Sequence, residues 1–226
     1  MTTEATPRLA TPATHQLDEE ILAAYAAGTL PEALSIVVAA QASICPETRD
    51  RLRELEAIGG GLLALGESRE MSLGSFEATL KKIAEQAEEP EAEPRSEAPC
   101  AVLPKPIRDY VGGGIEAVRW RPVGMGARQA ILHECGEASA RLLHIPAGCE
   151  LPDHGHKGIE MTLVLQGAFL DGNARYARGD VELADEKTEH HPVADAGADC
   201  VCVVACEGRL KFSGLLPRLA QPFIRI

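Results

Sequence analysis

The 226-residue chain is 45% hydrophobic and 25% charged, with a mean hydropathy of −0.07. That composition fits one large or two modest globular domains, and it excludes full disorder and fibrous repeats. The net charge of −12 is lopsided, with 8 Lys+Arg against 18 Asp+Glu in residues 1–98 and 14 against 16 in residues 99–226, so phosphate repels the N-terminal half and direct nucleic-acid binding there is disfavoured.

The longest charge-free stretch, Ala33 to Pro46, is 14 residues and too short to cross a bilayer, and the N-terminus, with Glu4 and no apolar run, is no signal peptide. A cytoplasmic location without membrane contact is the expectation. Seven cysteines, at 45, 100, 135, 149, 200, 202 and 206, form no C-x-x-C pair and read as reduced thiols.

Leu17, Ile21, Leu22 and Tyr25 recur at helical spacing behind an acidic turn, so a first helix is predicted over 17–28 with Gly28 as its stop. A second opens at Pro31 and runs to about Ser43; its all-round apolarity predicts burial. A third spans about Glu47 to Leu65, with Gly59-Gly60-Gly61 read as a break or hinge, and a fourth spans about Ser72 to Gln86. The third and fourth are amphipathic.

Residues 85–99, EQAEEPEAEPRSEAP, hold three prolines, six glutamates and no large apolar side chain, so they cannot offset their ordering entropy by burial and read as a linker too polar to couple its flanks by packing. Beyond it, short Val/Leu/Ile-rich runs near 115–120, 128–133, 138–145, 160–166, 181–184, 200–206 and 209–213 predict an all-β sandwich or small barrel.

The chemistry concentrates at Gly148-Cys-Glu-Leu-Pro-Asp-His154-Gly-His156-Lys-Gly-Ile-Glu160. In extended backbone, residues 154, 156 and 160 share parity, so two imidazoles and a carboxylate project from one face. A fourth ligand is expected from a neighbouring strand, where Glu189-His190-His191-Pro192 follows the Gly179-Asp180 corner. Such donors suit a divalent transition metal, with zinc favoured for a closed four-coordinate site and Fe, Mn, Ni or Cu for an open one.

The pattern G-x5-H-x-H-x3-E-x6-G over 148–167, then Gly179-Asp180 and a later histidine, resembles the two cupin motifs. The resemblance implies an antiparallel jelly-roll barrel with His154, His156, Glu160 and His190 as ligands. His191, adjacent and of opposite parity, is the competing fourth ligand.

His15-Gln-Leu-Asp-Glu-Glu-Ile-Leu-Ala-Ala-Tyr25-Ala-Ala-Gly28-Thr-Leu-Pro31, the Val37-Val38-Ala-Ala run and Cys45-Pro46 resemble the helical anti-sigma domain of ChrR-type regulators, in which a helical zinc domain precedes a cupin. Leu163-Val-Leu-Gln-Gly167 and Arg178-Gly-Asp-Val-Glu182 extend the resemblance over nearly the whole chain. It implies an α+β protein in two domains, all-α over 1–86 and an all-β cupin over 100–226, joined by the linker 87–99.

It also implies an anti-sigma factor in stress-responsive transcription, whose partner is an alternative sigma factor of the extracytoplasmic-function type and whose metal-bound cupin receives the signal. The family's N-terminal zinc motif is H-x3-C-x2-C plus an earlier histidine; this chain has Gln41, Cys45 and Thr48, with His15 as the earlier histidine, so that zinc site is expected to be lost. The rival reading is a metal-dependent cupin dioxygenase or isomerase with a helical dimerisation extension, and a homo-oligomer stays open.

Cys200, Cys202 and Cys206 share strand parity and read either as a redox-responsive cluster or as small buried hydrophobes. His133, His144 and Trp120 read as packed side chains, and Gly112–Gly114 lacks the context of a phosphate loop.

Overall fold

The structure, a computed structural model, describes residues 13–85, 102–152, 154–155, 157–208 and 211–212. The linker over 87–99 lies outside them.

Five helices are present among the described residues: α1 (Glu19–Ala26), α2 (Glu32–Ile44), α3 (Pro46–Ala64), α4 (Ser75–Glu85) and α5 (Lys105–Val111). Helix α1 closes before Gly28, whose φ of +68° suits glycine. Helix α2 is buried on most sides, through Ala33, Leu34, Ile36, Val37, Val38, Ala40 and Gln41. The expected hinge at Gly59–Gly61 is corrected by a continuous α3, because glycine keeps its N–H and can hold the helical conformation; helix propensity is a weak preference.

Twelve strands follow among the described residues: β1 (Arg121–Gly124), β2 (Ala127–Cys135), β3 (Ala138–Ile145), β4 (His154–Gly155), β5 (Glu160–Gln166), β6 (Ala168–Asp171), β7 (Ala174–Ala177), β8 (Val181–Ala184), β9 (Glu189–His190), β10 (Val193–Ala194), β11 (Cys200–Cys206) and β12 (Lys211–Phe212). The strand expected near 115–120 is instead a 3-10 turn at Ile115–Ala117, with β1 beginning just after it.

The main sheet has the order β1-β2-β3-β11-β5-β8, and two three-stranded sheets, β10-β6-β7 and β12-β4-β9, complete the β domain. Every pairing is antiparallel. Gly167, between β5 and β6, has φ +69°, and a Cβ there would meet Asp199 O at 2.5 Å, so only glycine fits this turn.

Alternation sorts the main sheet's residues between two cores. Val164, Ile145, Cys200, Cys202, Val204 and Cys206 pack with Phe169 and Ala194 inside the β domain. Leu142, Met161, Leu163, Leu165, Val201 and Val203 face the other way and share one core with Leu34, Val37 and Val38 of α2 and Ile107 of α5. The helical and β halves are therefore coupled by packing, contrary to the expectation drawn from the linker: chain connectivity does not limit which apolar faces meet, and α2 needs a cover on more than one side.

Candidate metal centre

Strand β9 pairs with β4 so that His190 stands opposite His154, and β5 pairs with β11 so that Glu160 stands opposite Cys206. The fold brings His190 and Glu160 together although they are 30 positions apart and lie in different sheets. His190 Nε2 lies 3.9 Å from Glu160 Oε1, and both side chains are almost fully buried. The side chain of His154, and the whole of Asp153 and His156, lie outside the described residues, so of the four sequence-derived ligands the structure describes the placement of two side chains.

Two further acids flank the imidazole that sequence reasoning missed. His190 Nδ1 is 3.4 Å from Glu182 Oε2 and 3.5 Å from Asp171 Oδ2, and ligand atoms of His190, Asp171 and Glu182 all lie within 4.8 Å of one another. Glu182 projects inward from β8 opposite Thr162, and Asp171 ends β6. The sequence carried no signal for Glu182: Val181 and Leu183 mark the opposite parity of Val-Glu-Leu-Ala as the apolar one, and only the folded β8 turns Glu182 inward.

His191 turns outward. Its side chain is 44% exposed, its Nε2 is 3.5 Å from Glu150 Oε2, and its backbone N–H donates to Asp171 Oδ1 at 3.1 Å. Opposite parity separates the two adjacent histidines, one inside the barrel and one on its surface.

The electrostatics favour a cation. Burial raises the Glu182 carboxyl above the usual range, with the neighbouring imidazole pulling it back and the Asp171 charge adding to the rise. At His190 burial pulls downward, but the Glu182 carboxylate, then Glu160 and Asp171, outweigh it and the net shift is upward. Three carboxyl groups surround one imidazole, and Glu182 Oε2 is buried without a hydrogen bond among the described residues. One imidazole nitrogen and carboxylate oxygens buried between the sheets of the β domain are donors that a borderline divalent ion accepts, so the residues fit a metal.

Beneath the pocket, Cys206 Sγ donates to Glu160 Oε2 at 2.9 Å, and the buried Arg141 guanidinium donates to Gln129 Oε1 at 3.0 Å and Ser139 Oγ at 2.7 Å. Burial, reinforced by the Glu160 charge, pushes the Cys206 thiol well up. Cys202 is also pushed up, chiefly by its hydrogen bond with Cys200 and by burial. Cys200, Cys202 and Cys206 are all buried and pack as small side chains in the inner core, the second of the two readings open for the triplet.

The N-terminal positions that the resemblance aligns with a zinc motif are engaged in other contacts. Gln41 Nε2 donates to Gly179 O at 3.1 Å, and Thr48 Oγ1 donates to Gln41 Oε1 at 3.2 Å, both in buried surroundings. Cys45 Sγ donates to Glu47 Oε2 at 3.2 Å, and the His15 ring lies 4.6 Å from that of Tyr176. Asp180 Oδ1 accepts the N–H groups of Thr14 and His15, and Val181 N–H donates to His15 O at 3.0 Å. The segment before α1 is thus tied to the strand that carries Glu182.

Among known proteins, the ChrR cupin-like domain family matches residues 111–208. The chain is 49% identical over 212 residues to the anti-sigma-E factor ChrR of Cereibacter sphaeroides, an alignment covering 94% of this chain and 98% of that protein. It is also similar to ChrR in the crystal structure of Rhodobacter sphaeroides SigE in complex with the anti-sigma ChrR, with 46% identity and a TM-score of 0.76 over 86% of this chain and 100% of that one.

Proposed function

The chain belongs to the ChrR family of cupin-containing anti-sigma factors, and from that membership we propose that it regulates transcription by binding an alternative sigma factor of the extracytoplasmic-function type. The helical segment 1–86 does the binding, and the cupin, 100–226, is the signal-responsive part, with 87–99 as the connection between them. The relative solved with SigE supports the choice of partner.

The observation that carries this reading on the present chain is an uncovered apolar surface. Ile58, Leu62, Leu63 and Leu65 in and just after the second half of α3 are exposed, as are Phe76, Leu80 and Ile83 on α4, a helix with no buried residue. Exposed large apolar side chains gathered on two successive helices, with nothing among the described residues covering them, mark a candidate protein interface. They sit on the acidic half of the chain, while sigma surfaces that meet promoter DNA are basic, so charge sets the rate of encounter and apolar burial sets affinity.

Coexpression with an alternative sigma factor, followed by co-purification, tests the proposal. The Leu63→Glu plus Phe76→Glu double variant should lose the sigma factor while its own stability changes by no more than about 0.5 kcal/mol per substitution, as expected at exposed sites. Absence of sigma binding by the unmodified chain, with turnover of a small molecule by the metal-loaded cupin, would favour the enzyme reading instead.

The metal proposed for the cupin is one zinc per chain, held by His154, His156, Glu160 and His190. Supporting this are the 3.9 Å approach of His190 Nε2 to Glu160 Oε1 and the register that sets His154 opposite His190. When bound, zinc supplies a redox-inert cross-link between separate strands, suited to a site whose loading or loss alters the barrel. No zinc is proposed at Gln41, Cys45 and Thr48, since an amide and a hydroxyl are poor donors to it. Among the described residues no helix is long and apolar enough to cross a membrane, in keeping with a cytoplasmic regulator.

A further inference from the structure

Glu182 is a buried acid that the proposed ligand set leaves without a role. It is 5% exposed, and a carboxylate so enclosed is costly unless something nearby compensates it. The compensating group is His190: Glu182 Oε2 and Asp171 Oδ2 both stand on the Nδ1 side of its ring, at 3.4 and 3.5 Å, while Nε2 faces Glu160 Oε1.

Neutral imidazole carries its proton on one nitrogen and a lone pair on the other. With two acid oxygens crowding Nδ1, that nitrogen keeps the proton, and Nε2 is left as the donor atom on the side where Glu160 waits. Asp171 is partly committed, because its Oδ1 already accepts the His191 backbone N–H. Glu182 has no such tie.

We propose that Glu182 is a positioning residue for the cupin metal: its Oε2, 3.4 Å from Nδ1 and not hydrogen-bonded among the described residues, closes on Nδ1–H of His190 when the ion binds and fixes the ring so that Nε2 and Glu160 Oε1 converge on it. The proposal rests on the reading of His190 and Glu160 as ligands. Carboxylates behind ligating histidines orient the ring and raise its basicity, and their loss costs about 10–100-fold in metal affinity. The competing geometry puts the ion among Nδ1, Asp171 and Glu182; His190 would then present the wrong nitrogen to Glu160, and one ion could not serve both sides of the ring.

Metal-stripped full-length protein, titrated with Zn2+ against a competing chelator, tests this, together with the 15N shifts of the His190 ring in the zinc-loaded protein. Glu182→Ala should bind zinc about 10–100-fold more weakly. Glu182→Gln, which is isosteric and still accepts a hydrogen bond, should recover part of that loss, and the unmodified ring should show a protonated Nδ1 and a zinc-bound Nε2. Unchanged affinity in Glu182→Ala, no recovery in Glu182→Gln, or zinc bound through Nδ1 would each overturn the assignment.

His190→Ala and Glu160→Ala separate the two levels of the argument. Full zinc affinity in both would sink the ligand reading itself, whereas loss in both with Glu182→Ala unaffected would sink only the role of Glu182.

Discussion

The Cys206 thiol donates to the Glu160 carboxylate across the β5–β11 pair, Sγ to Oε2 at 2.9 Å, leaving Oε1 turned towards His190. This is a buried donor spent on a buried acceptor, so removing it leaves the acid short of a partner. In the metal-free protein Cys206→Val should lower stability by about 1–3 kcal/mol, while Cys206→Ser, which keeps a donor, should cost clearly less. Urea denaturation of both variants checks the order.

The adjacent histidines should part company. His190→Ala removes a buried imidazole within 3.9 Å of Glu160 and should empty the cupin of metal. His191→Ala removes an exposed group paired at the surface with Glu150, and metal content should stay at one ion per chain with stability changed by no more than about 1 kcal/mol. Elemental analysis of the purified variants decides, and a metal-free His191→Ala beside a loaded His190→Ala would reverse the choice.

Gln41 and Thr48 join α2 and α3 to the Gly179 carbonyl through consecutive buried hydrogen bonds. Gln41→Ala should destabilise the chain by about 1–3 kcal/mol, because Gly179 O and Thr48 Oγ1 both lose a partner. The double change Gln41→His, Thr48→Cys rebuilds the donor set that the family resemblance implies, and zinc content should rise from about one to about two ions per chain. A stoichiometry that stays at one would show that the surrounding fold no longer accommodates the N-terminal ion.

Because Leu34, Val37 and Val38 share a core with Leu142 and Leu163, the two halves should unfold together. Leu163→Ala, on the cupin side of that core, should cost about 2–5 kcal/mol and shift helical and β signals in one transition. A fragment of residues 1–90 would expose the α2 face, at roughly 1.5–3 kcal/mol for each large side chain uncovered, and should be less stable than the whole chain. Two separate melting transitions in the intact protein would contradict this.

Elements with a local signature were legible in the sequence. Helices α1, α2 and α4 stand close to the spans that apolar spacing marks out, because period and end signals act within a few residues. Strands β3, β5, β8 and β11 stand where the short Val/Leu/Ile-rich runs lie between turns. Helix α5 escaped because Lys105–Val111 is only seven residues long and carries a proline, too short for a period to emerge. The continuity of α3 through Gly59–Gly61 went against local propensity, which is small per residue.

By itself, then, the sequence marked His190 and Glu160 as candidate donors and separated His190 from His191 by parity, since alternation of side chains is a property of two or three neighbours. Tertiary structure alone decided which donors meet. Register across β5–β11 put Cys206 behind Glu160, 46 positions away, and the meeting of the sheets brought Glu182 and Asp171 to the Nδ1 side of His190. The docking of α2 on the main sheet was likewise beyond local reading, because an apolar helix records that it needs a partner but not which surface in the folded chain covers it.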